Sequence, residues 1–575
     1  MPTNSDAANL LDEIADILEF QAANPFRIRA YRNGARAVRA LAEPLSAIVE
    51  DEQRQLTDID GIGKDLAEKL TTLVETGELP MLDELRAEVP ESLIQLMRVP
   101  GLGPKKAAAL HKELGIENLH DLRAACENEQ VRSLKGFGAK TEATILEGLD
   151  LAEAAGERMY WAHADEIVQA LREHLEPCEA IQRLEFAGSY RRGRETVRDL
   201  DVLVVADEPD AVMDCLAEFP AVDTVTGRGD TKMSVRLADG VQVDLRVVPA
   251  ESFGAALHYF TGSKEHNVAL RGLAKKRGLK INEYGVWKGD KAVAGASEED
   301  VYAALDLPWF PPELRENRLE FDLAEAGKLP RLVELGDIRG DLHMHTDQTD
   351  GAATLEEMIE AARARGLEYI AITDHSKRVT MANGLDARRL RQQFKEIDRL
   401  NQKYDDIHVL KGVECDILER GGMDLDDDVL AEADWVVASV HYGQNQPREQ
   451  ITRRIVDALA NPNVSVIAHP TGRLINRRKP YDVDLEAVFR AAAEHGKLLE
   501  LNANPARLDL DDVACAAAKR HGIPIAISTD AHRTAGLDVM RYGILQARRA
   551  GLTKNDVANT RSLKDFKRLY LRPEA

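Results

Sequence analysis

Cysteine is scarce. The 575 residues hold five, at Cys126, Cys178, Cys215, Cys415 and Cys515, and none stands in a CxxC pair. That spacing argues against a disulfide framework or a thiolate zinc site, and it suits a reducing cytoplasm. Long apolar runs are missing too: no stretch of about 18 apolar residues occurs, so no segment is expected to span a membrane. The segment from Met1 to Asp12 lacks the basic-then-apolar pattern of a secretory leader. Nor is there a surplus of positive charge, since the formal net charge is −24. Taken alone, that argues against nucleic-acid binding. Phosphate contacts, however, depend on local patches rather than on the total. Basic clusters stand at Arg27, Arg29, Arg32, Arg36 and Arg39, at Arg191, Arg192 and Arg194, and at Lys275, Lys276 and Arg277, while acid gathers elsewhere, as in Asp424 to Asp428. Each cluster could equally be a solvated helix face.

What is present is a globular composition, 44% apolar, over a length that suggests three to five domains at ~100–200 residues each. Leu10, Leu11, Ile14, Ile17 and Leu18 recur at helix spacing, and residues 1 to 150 read as helical. Three short segments there share one plan: Asp60-Gly61-Ile62-Gly63, Pro100-Gly101-Leu102-Gly103 and Lys135-Gly136-Phe137-Gly138. Each follows an apolar helix end and precedes a helix containing Lys and Ala, the helix-hairpin-helix signature. Glycine permits a tight turn whose N–H groups, at a helix start, can hold a DNA phosphate without reading sequence. Gly61, Gly63, Gly101, Gly103, Gly136 and Gly138 are therefore candidate DNA contacts. From 155 to 315 the pattern becomes mixed α/β, with strands expected at Leu200 to Val205 and Val241 to Val248; 316–337 reads as a linker. From Ile338 onward strand and helix patterns alternate, which predicts a parallel, barrel-like α/β domain.

Asp199 and Asp201 are two apart on an expected strand, so both point to one face. Asp244 could lie on a neighbouring strand facing the same way. Three converging carboxylates suit a pair of Mg²⁺ or Mn²⁺ ions about 3.5–4 Å apart, the arrangement that clamps both oxygens of an in-line displacement. Gly188 and Ser189, with Arg192, can cradle a triphosphate. The segment from Gly188 through Asp201, together with Tyr259-Phe260-Thr261-Gly262-Ser263 and Ile281-Asn282-Glu283-Tyr284, resembles family X DNA polymerases of the beta type over roughly residues 5 to 315. The resemblance implies that Asp199 and Asp201 bind both metals and Asp244 the catalytic one. It implies that Ser189 and Arg192 hold a dNTP, that Tyr259, Phe260 and Gly262 flank its sugar, and that Asn267 and Arg271 lie near the base pair. It also places the Schiff-base lysine of the family's lyase domain at Lys69; the plain alternative is a solvent-facing helix lysine. Arg27 and Asp65 stand where strongly active relatives carry lysines, and Lys264 stands where some carry an acid.

The C-terminal part offers nine candidate ligands: His343, His345, Asp350, His375, Glu414, His441, His469, Asp530 and His532. Several end apolar runs, as in Tyr-Ile-Ala-Ile-Thr-Asp before His375, and in α/β barrels the C-terminal strand ends carry the chemistry. Imidazole and carboxylate without thiolate suit Mn²⁺, Zn²⁺ or Fe²⁺, and nine ligands over about three ions leave positions open. Asp341-Leu-His-Met-His-Thr346, Thr-Asp-His375, Gly-Val-Glu414, His441, His469-Pro and Asp530-Ala-His532 resemble the polymerase and histidinol phosphatase (PHP) family over 338–575. That implies a distorted seven-stranded (β/α)7 barrel. One metal would be held by His343, His345, Glu414 and Asp530, a second by Glu414, His375 and His441, a third by Asp350, His469 and His532. Arg473 could steady a phosphate or form a surface salt bridge.

The expected architecture is multidomain. A lyase-like helical domain at 1–85 and a helix-hairpin-helix region at 86–150 form an all-α N-terminal part. An α/β nucleotidyltransferase palm follows at 155–250, an α+β thumb at 251–315, a linker at 316–337 and the PHP barrel at 338–575. The expected function is a monomeric, cytoplasmic, nucleoid-associated DNA polymerase that fills short gaps in gapped or nicked DNA and trims 3′ ends by metal-dependent 3′→5′ exonuclease action. The alternatives are a phosphoesterase whose N-terminal half only binds DNA, a histidinol-phosphatase-like metabolic enzyme, and a structural DNA-end binder.

Overall fold

Leu11, Ile14, Ile17 and Leu18 form the buried face of the helix Asn4–Phe20, as their spacing predicts. The computed structural model describes residues 4–39, 45–51, 54–59, 61–97, 99, 102–155 and 158–572. The chain divides into two units, Met1–Met159 with Asn476–Arg478, and Tyr160–Ile475 with Lys479–Ala575. Among the described residues, no helix is long and apolar enough to cross a membrane.

The first unit is helical up to its last residues, and three of its turns repeat one backbone plan. Ile62 N donates to Ile59 O, Leu102 N to Val99 O and Phe137 N to Leu134 O, each at 3.0 Å. Those acceptor residues in turn donate to the carbonyls of Leu56, Leu96 and Val131. Gly61 and Gly136, each just before its turn donor, take φ of +88° and +90°, a region in which a β-carbon is costly, whereas in the second turn the positive φ, +64°, falls on Gly103, just after the donor Leu102. The helices Lys64–Thr76, Gly103–Leu114 and Ala139–Ala155 follow the three turns. Gly101 lies outside the described residues, as does the Arg39 side chain.

In the second unit, Val-rich segments build a five-stranded sheet in the order Arg183–Phe186, Asp199–Val205, Gln242–Val247, Lys232–Leu237, Val222–Arg228. Only the pair Asp199–Val205 and Gln242–Val247 is parallel. Cys178 and Cys215 are joined as a disulfide, a single bridge where the spacing argued against a disulfide framework. They are 37 residues apart with Cα atoms 6.7 Å apart, a proximity set by packing and invisible in sequence spacing. The other three cysteines are buried and free.

Beside the sheet lie the helices Phe253–Thr261 and Lys264–Lys276 and a three-stranded antiparallel sheet spanning 280–294. This part is tied to the palm by a buried ion cluster. Arg315, 0% exposed, meets Glu298 through two bonds of 2.5 and 3.0 Å, and Arg191 meets the same carboxylate at 2.8 and 2.9 Å. Burial would raise the Glu298 carboxyl, but Arg315 and Arg191 hold it well below the usual range. Its contribution to stability is therefore present above about pH 4.3, the ordinary Glu value, and is lost only under strongly acidic conditions. Glu298→Gln is expected to destabilise this unit by about 3–5 kcal/mol, because it leaves two guanidiniums without a counter-charge. Urea unfolding followed by the fluorescence of the four tryptophans, all of them in this unit, checks this. An unchanged midpoint would contradict it. The segment 316–337 includes a short helix, Glu320–Glu325, whose Phe321 stacks on His266 at 4.8 Å between ring centres.

The remainder is a seven-stranded parallel sheet in sequential order, Gly340–Asp341, Tyr369–Ile372, His408–Asp416, Trp435–Ser439, Val466–Ile467, Leu498–Asn502 and Ile525–Ser528. It closes past its strand ends, where His345 N donates to Ala531 O at 2.8 Å and Asp530 N to His343 O at 2.9 Å. Side chains alternate between two apolar layers. Ile370, Ile372, Val436, Ile467, Leu499 and Ile527 join one, and Tyr369, Ala371, Trp435, Val437, Val466 and Ala526 the other, which Phe566 completes. The two-residue strand period then dictates which later residues continue the second layer. His375 lies four beyond Ala371, Glu414 four beyond Leu410, His441 four beyond Val437 and Asp530 four beyond Ala526.

Candidate active sites

Parallel pairing puts Asp201 directly opposite Asp244 on the two palm strands, with Asp199 on the same face two residues earlier. Ser234 Oγ and Gln242 Nε2 (2.8 Å) donate to the two oxygens of Asp244 and fix its orientation. Burial, then the charges of Asp199 and Asp244, push the Asp201 carboxyl up to about 7. Three carboxylates that repel one another on one face are the donor set a hard divalent cation fits. Gly188, at φ +64°, turns the chain over them, and a β-carbon there would collide with Asp201 Oδ2. Ser189 is the second residue of the short helical turn Gly188–Arg191.

Arg192 donates to the Thr261 carbonyl and, at 3.1 Å, to Glu316 Oε1; a β-carbon on Gly262 would lie 3.0 Å from its guanidinium. Tyr259, 37% exposed, meets Phe260 edge-on at 5.2 Å, and Arg246 lies over the Phe260 ring at 4.5 Å. Asn267 Nδ2 donates to Tyr259 O at 2.8 Å, leaving its buried Oδ1 without a partner, and Arg271 Nε donates to Asn267 O at 3.3 Å. The structure thus joins Gly188 to Asp201, Arg192 to Thr261 and Gly262, and Asn267 to Tyr259 and Arg271, and it adds Glu316, Arg246 and Thr261, which sequence reasoning missed.

In the helical unit, Lys69 forms an ion pair with Asp65 one turn earlier. Of the N-terminal basic cluster, Arg32 faces Asp12, Asp16 and Glu19. Arg27 and Arg29 are exposed, Arg29 lying over the Phe26 ring at 4.6 Å.

In the barrel all nine candidate ligands converge. Glu414, 1% exposed, is the hub. Its Oε1 faces His469 Nε2 at 3.2 Å and His441 Nε2 at 3.4 Å. Its Oε2 faces His375 Nδ1 at 2.8 Å, His343 Nε2 at 3.4 Å and His345 Nε2 at 3.6 Å. Asp530 Oδ1 lies 3.2 Å from His345 and 3.6 Å from His343. Asp350 lies 3.5 Å from both His375 and His532. Three sets have donor atoms within 4.8 Å of one another: His343, His345 and Asp530; His375, Glu414 and His441; and His345, Asp350, His375 and His532. The expected grouping of His469 with Asp350 and His532 is corrected. Closure of the barrel seats His469 beside Glu414 and His441, and Asp350 reaches His375 instead.

The fit to metal ions shows in the nitrogens. His343 Nε2, both ring nitrogens of His345 and His375 Nδ1 are buried without a hydrogen-bond partner, although carboxylates lie within 4 Å. Lone pairs and carboxylates that converge without hydrogen-bond geometry suit a shared cation. Burial, then His532 and His375, push the His345 imidazolium down to about 3, so the ring is neutral and one of its nitrogens is free to donate an electron pair. Burial would raise the Glu414 carboxyl, but His375, His441 and His343 hold it well below the ordinary range. His469 and Asp530 sit at φ +28° and +54°, a region few residues other than glycine adopt and one found at functional sites.

Two supporting acids were not read from sequence. Glu500 accepts from His343 Nδ1 at 2.7 Å and from His469 N at 2.6 Å, orienting both. Asp416 accepts from His441 N at 3.1 Å. The available signal was a lone acid inside the apolar run Leu-Leu-Glu-Leu. Of the two readings of Arg473, the structure shows the ion pair: its guanidinium is engaged by Glu195 at 2.7 Å, Leu508 O at 2.6 Å and Arg507 O at 2.9 Å. Arg507 Nε, 3.8 Å from Asp530 Oδ2, is the cation nearer the ligands.

The chain matches four families: a helix-hairpin-helix domain over residues 2–79, a SAM-like helix-hairpin-helix tandem over 93–150, the DNA polymerase beta thumb over 256–316 and the PHP domain over 341–504. It is 27% identical over 354 residues to DNA polymerase lambda of Rattus norvegicus, covering 55% of this chain and 58% of that one. It is 31% identical over 231 residues to a probable phosphatase of Thermoanaerobacter sp. (strain X514), covering 38% of this chain and 89% of that one. Over 564 residues it is 43% identical to the DNA polymerase/3′-5′ exonuclease PolX of Bacillus subtilis (strain 168), which spans 97% of this chain and 98% of that protein. With both the palm and barrel clusters in place and identity running nearly end to end, the chain belongs to the PolX family, the family X DNA polymerases that carry a C-terminal PHP domain.

Proposed function

We propose that the chain is a DNA-directed DNA polymerase that fills short gaps during repair and processes 3′ ends through 3′→5′ exonuclease action of its barrel. The observation that carries this reading is the coexistence of two separate ligand clusters, Asp199, Asp201 and Asp244 in the palm and the nine-residue set around Glu414 in the barrel. Divalent cations bound at the two sites would supply charge neutralisation and Lewis acidity at phosphorus. In the palm, Asp199, Asp201 and Asp244 would hold them beside the primer 3′-hydroxyl. Gly188, Ser189 and Arg192 would receive the triphosphate, Tyr259, Phe260 and Gly262 would flank the sugar, and Asn267 and Arg271 would lie by the base pair. In the barrel, the histidines, Asp350, Glu414 and Asp530 would hold cations, with Glu500 and Asp416 orienting the ligands. The hairpin glycines would grip the DNA backbone. The segments 1–85, 86–150, 155–250, 251–315, 316–337 and 338–575 are the working divisions of this reading. Lys69 is left outside it, because its amine is engaged by Asp65.

The test is an assay on DNA with a single-nucleotide gap in Mg²⁺ or Mn²⁺. The expected result is one-nucleotide extension when dNTPs are present and 3′ shortening when they are withheld. Absence of extension would leave only the phosphoesterase reading standing.

A further inference from the structure

The turn that would receive the triphosphate is held from behind by the barrel. Against it lies the barrel helix Met540–Arg549. Leu545 fills the space beside Gly193, where a β-carbon would come within 2.5 Å of its side chain. Gln546, buried, donates from Nε2 to Gly193 O at 3.1 Å. Arg549, 5% exposed, donates from one terminal nitrogen to Arg192 O at 2.7 Å and to Glu316 Oε1 at 2.9 Å. Its other terminal nitrogen meets Asp512 at 2.8 Å. Glu316 also accepts from Arg192 Nε at 3.1 Å and faces Arg194 at 3.7 Å, while Asp512 faces Arg318 at 3.0 Å. Arg192, Arg194, Arg318 and Arg549 therefore meet two carboxylates, Glu316 and Asp512.

Two physical consequences follow. The planar fork of Arg549 fixes the backbone of Arg192 and, through Glu316, the direction of its side chain. A second guanidinium on Glu316 also draws off part of the charge that would otherwise neutralise Arg192, so the turn keeps a positive field for an anion. We propose that Arg549 is a positioning residue for nucleotide addition, so that the barrel domain supplies part of the support for the incoming nucleotide's triphosphate site. This rests on the reading of Arg192 as a triphosphate ligand.

The test measures single-nucleotide insertion into gapped DNA by the full-length wild type, Arg549→Met, Arg192→Ala and the double variant, with 3′ shortening by each as the control for folding. Arg549→Met is expected to raise KM for the dNTP between about 2- and 30-fold. It should leave kcat and 3′ shortening near wild type, and its effect on KM should vanish in the Arg192→Ala background. Unchanged KM in Arg549→Met beside raised KM in Arg192→Ala overturns the inference alone. So does an equal effect of Arg549→Met in both backgrounds, which would mark a merely structural role. Unchanged KM in Arg192→Ala overturns the reading of Arg192 and the inference with it. If Arg549→Met loses both activities by failing to fold, Arg549→Lys decides. Its ammonium lacks the planar fork whose two separate terminal nitrogens reach Arg192 O and Glu316 on one side and Asp512 on the other, so a wild-type KM there counts against the proposal.

Discussion

Glu414→Gln is expected to lower 3′ shortening on the order of 10³-fold while leaving nucleotide addition unchanged. The magnitude follows from the several kcal/mol that metal-assisted charge stabilisation supplies, at about 1.4 kcal/mol per decade of rate. Glu414 is the choice because, among the described residues, it is the one carboxylate whose two oxygens face five imidazoles, those of His343, His345, His375, His441 and His469. An amide keeps the shape but removes the anionic charge and replaces one acceptor with a donor, so the imidazoles lose their common counter-charge. Bound divalent metal should fall with activity, and elemental analysis of the purified variant reads it independently of any substrate. Full metal content with full 3′ shortening would remove Glu414 from the proposed site. A parallel loss of nucleotide addition would mean that the two sites are not separable.

Much of this site was legible in sequence because ligands such as His375, His441 and Asp530 close apolar runs, and a parallel barrel gathers strand ends on one rim. The grouping of ligands was not legible. Whether His469 stands with Asp350 or with Glu414 depends on how the rim curves, and no residue along the chain encodes that locally. Glu500 escaped notice because an acid in an apolar run reads as a surface position until the alternation of Leu498, Glu500 and Asn502 is referred to the barrel interior. In the palm, strand parity announced Asp199 and Asp201. Placing Asp244 opposite Asp201 required a parallel register that sequence leaves open. Arg473 shows the same limit in reverse: a cation four residues after a ligand reads equally as a phosphate contact or a salt bridge, and the partner that decides it, Glu195, lies 278 residues away. Arg191, from a basic cluster that reads equally as a solvated helix face, instead turns to Glu298 beside the buried Arg315.

Asp201→Asn is expected to lower nucleotide addition on the order of 10³-fold and to spare 3′ shortening. A second, non-catalytic signature separates a charge-crowded metal site from an ordinary structural carboxylate. The Asp201 carboxyl is pushed up to about 7 by burial and by Asp199 and Asp244, whereas an unfolded Asp titrates near 3.9. Between those values the folded chain binds a proton that the unfolded chain has released, so in chelator the wild type loses stability as pH rises from about 4 to 7. The asparagine variant has no such charge to bury. It should therefore unfold at a higher temperature than the wild type at pH 8 in chelator, with the gap closing as pH falls towards 4. Added Mg²⁺ or Mn²⁺ should restore the wild type at pH 8 and do less for the variant, and it should lose its hold on the wild type below about pH 7 as protons compete for the site. Calorimetry across pH with and without metal reads all of this without DNA. A variant less stable than the wild type at pH 8 in chelator would mean that Asp201 serves the fold, and the two-cation reading of the palm would fall with it.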